Sequence, residues 1–493
     1  MKKRILALTA ALAFSAGTAI AIPYASQIRA TNTSPALGSS TTISYILNME
    51  ADSVEIEIVD AADAVVASFS GPTAWGHNSV VWDLTDDNDG GNPVTPEEDY
   101  RIRVNVDADN PEEWNWFAIN QSPDHLDDYW NEPPLDEINH KNLFNRVRGH
   151  SVNIPWDQDS DTFGLVLLTS SHSAGTADPG HGKVVKVTTD LRPPLDSVDG
   201  GRDTAVLRHP NSDDPDSHTF QDTWYMTEDP LNPEYYYVAG QATSGIRVYY
   251  GHINDHTGVQ VLGDGPATRT VAARADGDDR ILYFSHGNNT IDRAVVDANN
   301  EITEDDLVNI LDIGENLYSK HVMLDADGNL YWLSRVGWVY RWPASLVETA
   351  TEEGDLTDAN ADWVVDATGI DSRDGVELYE LAETPDGDII VSTQEGLVNL
   401  GNRSQASVNV AIDGTDAFFA FPPELPLDTS FASGIYSDAF GNIYFTKGAT
   451  GTDLGYAAAS PGGQSSTSVT APVSQTLNVN PEPTDARMWH LYE

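Results

Sequence analysis

Three aspartates at alternate positions, Asp157, Asp159 and Asp161, follow Trp156. Such spacing opens calcium loops, where alternate side-chain oxygens converge on one hard cation. Thr162 stands at the sixth position, where such a loop has Gly, and Leu168 stands where it has its bidentate Glu. The plain alternative is a solvated acidic turn. A second acidic group, Asp83, Asp86, Asp87 and Asp89, lies in one Asn- and Gly-rich loop and has the same two readings. His252 and His256 have metal-ligand spacing only if they share a helix, and the surrounding YYGHINDHTGV is not helical in pattern. His209 and His218 lie in polar stretches between strands.

Trp338, Tyr340 and Trp342 fall on one face of a strand by its period of two. That face is either a platform for sugar rings or packing between stacked sheets, and packing is the stronger reading. Tyr235, Tyr236 and Tyr237 are read the same way. The motifs G-x-S-x-G, H-E-x-x-H and G-x-x-x-x-G-K-[ST] are absent from the sequence.

Charge restricts the partners. The chain has 493 residues, 77 Asp and Glu against 26 Lys and Arg, and a formal charge of -51. A surface of that sign repels phosphate, so no nucleic-acid partner is expected. Acid excess with scarce lysine resembles halophilic surfaces, and self-repulsion of this size is expected to relax as salt screens it. The absence of Cys excludes disulfides, thiolate metal sites and cysteine nucleophiles.

Lys2, Lys3 and Arg4 precede the apolar run Ile5 to Phe14, and Ala19-Ile20-Ala21 is a small-x-small site. Residues 1–21 are therefore expected to be a secretory signal peptide cut after Ala21. The expected location is periplasmic or extracellular, with no transmembrane segment after cleavage.

The elements that must position these residues are strands. Short alternating runs at roughly ten-residue spacing fill 22–108, among them Thr42–Leu47, Val54–Val59, Ser79–Asp83 and Tyr100–Val106. They predict a β-sandwich. From 109 to 493 a turn rich in Asp, Gly and Asn recurs before an apolar strand. Its copies precede Ile281, Leu330, Ile389 and Ile443. Weaker units are Gly164–Leu168 and Tyr235–Val238. A period of about fifty residues suits four-stranded propeller blades. The expectation is an all-β chain: an N-terminal immunoglobulin-like β-sandwich, then a β-propeller of six blades, seven being the alternative.

The segment TTISYILNMEADSVEIEIVDAADAVVASFSGPTAWGHNSVVWDLTDDNDGGNPVTPEEDYRIRVNV resembles the immunoglobulin-like domain of the flagellar hook-capping (FlgD) family. The matching features are the IEIVDAADAVV hairpin, the GHNSVVWD strand and the P-x-x-x-Y approach to the last strand. Glu97, Glu98 and Asp99 depart from the family, which has Gly before that Tyr. The resemblance implies a structural or adhesive module. The later turns resemble those of NHL and gluconolactonase-type propellers, and the gluconolactonase-type members hold a divalent ion at the ring centre. The early Glu-Gly-Pro signature of the lactonases is absent. The function expected is therefore non-catalytic binding of a protein or polysaccharide, with Ca²⁺ recruited by the acidic surface. The alternatives are a metal-dependent hydrolase or lactonase and a structural part of an extracellular assembly.

Overall fold

The alternating runs near the N-terminus form two sheets, because each carries one apolar and one polar face. In the computed structural model one sheet holds Ala25–Ala30, Thr41–Leu47 and Gly76–Trp82, all antiparallel. The other holds Val65–Ser70, Ser53–Val59 and Asp99–Asp107. The structure describes residues 22–86, 90–96, 98–108, 117–119, 152–170, 183–190, 223–240, 248–253, 258–262, 268–286, 289–296, 301–313, 317–369, 378–392, 396–413, 417–420, 432–447, 453–458 and 466–481. The signal-peptide expectation for 1–21 lies outside them, as do Asp87, Asp89, His209, His218 and His256.

Between the two sheets Tyr45, Ile56, Ile58, Trp82, Ile102 and Val104 make one core. Tyr100 is buried there, and its hydroxyl donates to the Thr95 carbonyl at 2.9 Å, fixing the corner before its strand.

One expectation fails at the chain's other end. Residues 466–481, placed by sequence within the second unit at 109–493, belong to the sandwich. Ser466–Thr470 pairs antiparallel with Asp99–Asp107, and Leu477–Asn478 pairs with Asp99 and Tyr100. The cause is alternation: Thr467 and Val469 are buried while Ser466 and Ser468 are exposed. Val469, Leu477 and Val479 therefore close an apolar face that residues 22–108 leave open.

Six further sheets of three or more strands, among the described residues, follow in chain order, besides two two-stranded pairs. The first holds Val152–Asn153, Leu165–Ser170 and Lys183–Thr188. The second runs from Thr223–Asp229 to Gly258–Leu262, and the third from Thr268–Asp276 to Val308–Asn309. The fourth begins with Ser319–Leu324 and the fifth with Leu381–Glu383. The sixth holds Ala432–Ser437, Asn442–Lys447 and Asp453–Ala458. Its outer strand is Phe117–Ile119, from the start of this region. The first strands of these sheets touch in turn, and that of the sixth returns to that of the first. The ring is closed by two strands distant in sequence.

The recurrent turns join first to second strands. In the sixth sheet Asp438 N–H donates to the Asn442 carbonyl at 2.8 Å, and Gly441 N–H to the Asp438 carbonyl at 3.1 Å. Gly441 has φ +89°, a conformation in which a Cβ is strained. The strand starts beyond these turns, Ile281, Leu330, Ile389 and Ile443, are all buried between sheets.

The fourth sheet gains a fifth strand, Val408–Asp413, parallel to Trp363–Gly369. Arg341 holds the approach to it. Its guanidinium donates to both Asp362 carboxylate oxygens at 2.8 and 2.7 Å, and to the Arg403 and Gln405 carbonyls at 2.7 Å each. It lies 4.4 Å from the Trp363 ring centroid.

Candidate functional site

The Asp157 loop sits where the ring meets the sandwich, and its carboxylates diverge. Asp157 Oδ1 accepts the Asp159 N–H at 3.0 Å within the turn. Asp159 Oδ1 accepts from Arg101 at 3.1 Å. Asp161 Oδ1 accepts from the Ser474 hydroxyl. Gln27 Nε2 donates to the Phe163 carbonyl at 2.6 Å. Asp159 and Asp161 thus latch this loop to the strand Asp99–Asp107 and to the turn Val473–Gln475 of the sandwich. Among the described residues no three His, Asp or Glu side chains gather so as to hold a metal ion. Each of the three carboxylates thus faces a different partner rather than one common point.

Asp83 Oδ1 accepts from the Thr85 hydroxyl at 2.7 Å, an ordinary turn contact. His252 Nε2 lies 3.1 Å from Glu234 Oε2, at the end of the second sheet. Tyr235 stacks on Tyr250 with ring centroids 5.0 Å apart, while Tyr236 and Tyr237 are buried. Trp338, Tyr340 and Trp342 form a ladder with centroids 6.1 Å apart at each step. The ladder packs with Trp332, Val347 and Leu356 in the core between the third and fourth sheets. Its role is packing.

The polar cluster at the centre of the ring carried no sequence signal. Tyr225 comes from the first strand of the second sheet, and its hydroxyl donates to the Tyr379 carbonyl of the fifth at 2.7 Å. Those sheets are not successive in the chain, so the bond ties non-adjacent sheets together. The Tyr225 ring lies 4.6 Å from that of His321, on the first strand of the fourth sheet. His321 Nδ1 accepts the Leu381 N–H at 3.2 Å, which leaves the proton on Nε2, 3.8 Å from Glu380 Oε1. Glu380 Oε2 accepts the Ile435 N–H of the sixth sheet at 2.7 Å. Lys320 Nζ lies 4.5 Å over the Tyr379 ring.

Tyr225, Lys320, His321, Tyr379 and Glu380 are all under 10% exposed. Burial pushes the His321 imidazole down to about 3, so it stays neutral at any ordinary pH. What this arrangement does chemically is tie four sheets together through polar atoms turned onto one another and onto backbone.

Glu228, at the end of the same Tyr225 strand, titrates near neutrality. Burial pushes its carboxyl up to about 7, with the Asp157 and Asp229 charges adding to the effect. A raised acid favours folding while protonated. That contribution is full below the ordinary carboxylate range and disappears as pH rises through about 7. Glu228→Gln should therefore match wild type near pH 4 and exceed it by about 3 kcal/mol at pH 8. Urea titrations at the two pH values check this. An advantage that does not grow with pH would be inconsistent with it.

No helix among the described residues is long and apolar enough to cross a membrane. No protein-family model matches the chain, and no curated protein matches it. Solved structures of similar shape include β-propellers. A protein of unknown function from Bacteroides thetaiotaomicron is 14% identical with a TM-score of 0.38, covering 89% of this chain and 98% of its own. The β-propeller domain of Myceliophteria thermophila Cps50 (Swd1) is 12% identical with a TM-score of 0.36, covering 62% and 95%. A gluconolactonase from Xanthomonas campestris is 17% identical with a TM-score of 0.30, covering 46% and 73%.

Proposed function

We propose that the protein is an exported, non-catalytic recognition scaffold. It is a six-bladed propeller carrying a FlgD-type immunoglobulin-like sandwich across its seam, and it binds a protein or polysaccharide through the loops of its rim. The observation that carries this reading is the filled centre, where Tyr225 of one blade reaches the Tyr379 carbonyl of a non-adjacent blade. A hub whose polar groups satisfy one another gives rigidity, and recognition then falls to loops that vary independently of the scaffold. The net charge of -51 turns such loops toward basic protein surfaces or cation-bridged glycans and away from nucleic acid.

The test pairs two assays on the purified protein. Lactones, esters and glycosides are offered with Ca²⁺, Zn²⁺ or chelator, and glycan and basic-peptide arrays are probed in parallel. The expected result is no metal-dependent turnover, together with array binding that Tyr225→Phe leaves intact. Chelator-sensitive hydrolysis abolished by Tyr225→Phe or His321→Gln would assign the hub to catalysis and overturn the reading.

A further inference from the structure

Residue 22 lies between the sandwich, where Asn48 Nδ2 donates to its carbonyl at 3.1 Å, and the sixth sheet, beside a buried acid. The Ile22 N–H donates to Asn442 Oδ1 at 3.0 Å. Asn442 Nδ2 donates in return to the Ile22 carbonyl at 3.2 Å and to Asp438 Oδ2 at 2.8 Å. Ile22, Asn442 and Asp438 are each no more than 2% exposed. Asp438 Oδ1 accepts from the Phe440 and Asn442 backbone at 2.9 and 2.8 Å. The partners shown for Asp438 are all neutral, and burial pushes its carboxyl up to about 6 despite them. A buried carboxylate held only by neutral donors is one that a cation would stabilise.

The sister turn in the fourth sheet sharpens the comparison. There Asn329 Nδ2 donates to Asp325 Oδ2 at 2.7 Å, and Asn329 Oδ1 accepts the Ala344 N–H at 3.0 Å. Ala344 is in mid-chain and opens a single helical turn, so its nitrogen is always an amide. The Ile22 N–H plays the same part toward Asn442 of the sixth sheet, and Ile22 directly follows Ala19-Ile20-Ala21.

We propose that a signal-type peptidase hydrolyses the Ala21–Ile22 bond, and that the new Ile22 ammonium docks on the Asn442–Asp438 pair and fastens the sandwich to the ring. Water supplies hydroxide to the Ala21 carbonyl carbon and a proton to the Ile22 nitrogen, and a second proton from solvent completes the ammonium. The ammonium keeps a donor for Asn442 Oδ1 and brings a positive charge to a buried acid. Strands around it complete the seam: Thr467 Oγ1 donates to the Pro23 carbonyl at 2.8 Å, and Tyr24 lies 4.6 Å from Phe440. Processing would thus be coupled to docking, and an unprocessed chain would lack the ion pair.

The experiment starts with the protein purified from a secreting host. Its N-terminal residue is read by mass spectrometry, and its α-amine is labelled with acetic anhydride across pH 6–9. Ile22 is expected as the first residue, with labelling at least about tenfold slower than in the urea-unfolded chain, a shift worth ~1.4 kcal/mol. A form that keeps Ala21 should unfold at lower urea, and adding Asp438→Asn to it should cost little more. A different first residue, an amine labelled as fast as in the unfolded chain, or an Ala21-extended form of unchanged stability would each overturn the proposal. If Asp438→Asn does not fold, the labelling of the wild-type protein decides alone.

Discussion

A chain ending at residue 465 should lose its sandwich. The truncation removes Val469, Leu477 and Val479, each no more than 2% exposed, from a core that also holds Ile102 and Val104. Burial of three such side chains is worth on the order of 5–8 kcal/mol. That is comparable with the whole stability of a small domain. It also unpairs one edge of Asp99–Asp107, where Ser466–Thr470 supplies a run of ladder hydrogen bonds. The expected readout is rapid proteolysis within 22–108 and loss of the near-ultraviolet signal of Trp82. Val469→Asp, which buries an unpaired charge without shortening the chain, should act in the same direction. A truncated chain whose sandwich resists protease as wild type does would show that the C-terminal strands are ornamental.

The second large effect is expected at Arg341. Its side chain is 3% exposed and engages Asp362 through two nitrogens. Two further bonds hold the Arg403 and Gln405 carbonyls, which lead into the parallel strand Val408–Asp413. Arg341→Leu leaves Asp362 without its cation and two carbonyls without their donor, at a cost of about 3–5 kcal/mol. Arg341→Lys should recover little of it. An ammonium has no planar fork to span a carboxylate and two carbonyls at once, and it loses the face of Trp363. Urea midpoints of the two variants check this, and a lysine variant close to wild type would mean the site reads charge rather than geometry.

Local chemistry made much of the architecture legible. The Asp-x-x-Gly-Asn turns at 325–329 and 438–442 announced hairpins because Gly and Asx residues have few other reasons to recur before an apolar strand. The alternation of Ser53–Val59 marks a half-buried strand, and the aromatic residues of Trp338–Trp342 pack in the core as their period of two suggests. Three features were hidden, each because it depends on pairing across long sequence separations. Phe117–Ile119 is three residues long, too short for a period to register. The Ser466–Thr470 strand is mostly Ser and Thr, and so carries little apolar signal to tie it to the sandwich rather than to the unit at 109–493. The Asp157 loop has the residue types of a cation site, but spacing alone does not say where each carboxylate points. Arg101 and Ser474, far away in sequence, take two of them.

The hub was illegible for a related reason. Tyr225, His321 and Glu380 are single polar residues beside apolar strands, and nothing local distinguishes them from surface positions. Only ring closure brings them within reach of one another. A polar residue at the start of several successive inner strands is the signal that would have found them.

Ring closure can be examined directly because the chain has no Cys of its own. Ala118 lies opposite Gly455 in the antiparallel pairing of Phe117–Ile119 with Asp453–Ala458. Directly opposed residues bring their α-carbons to about 4.5–5.5 Å, within the span of a disulfide. The double variant Ala118→Cys, Gly455→Cys should form one intramolecular disulfide on air oxidation, seen as a faster-migrating monomer on a non-reducing gel with no free thiol. Two free thiols in a folded monomer, or disulfide-linked dimers alone, would contradict a ring shut by its first and last strands.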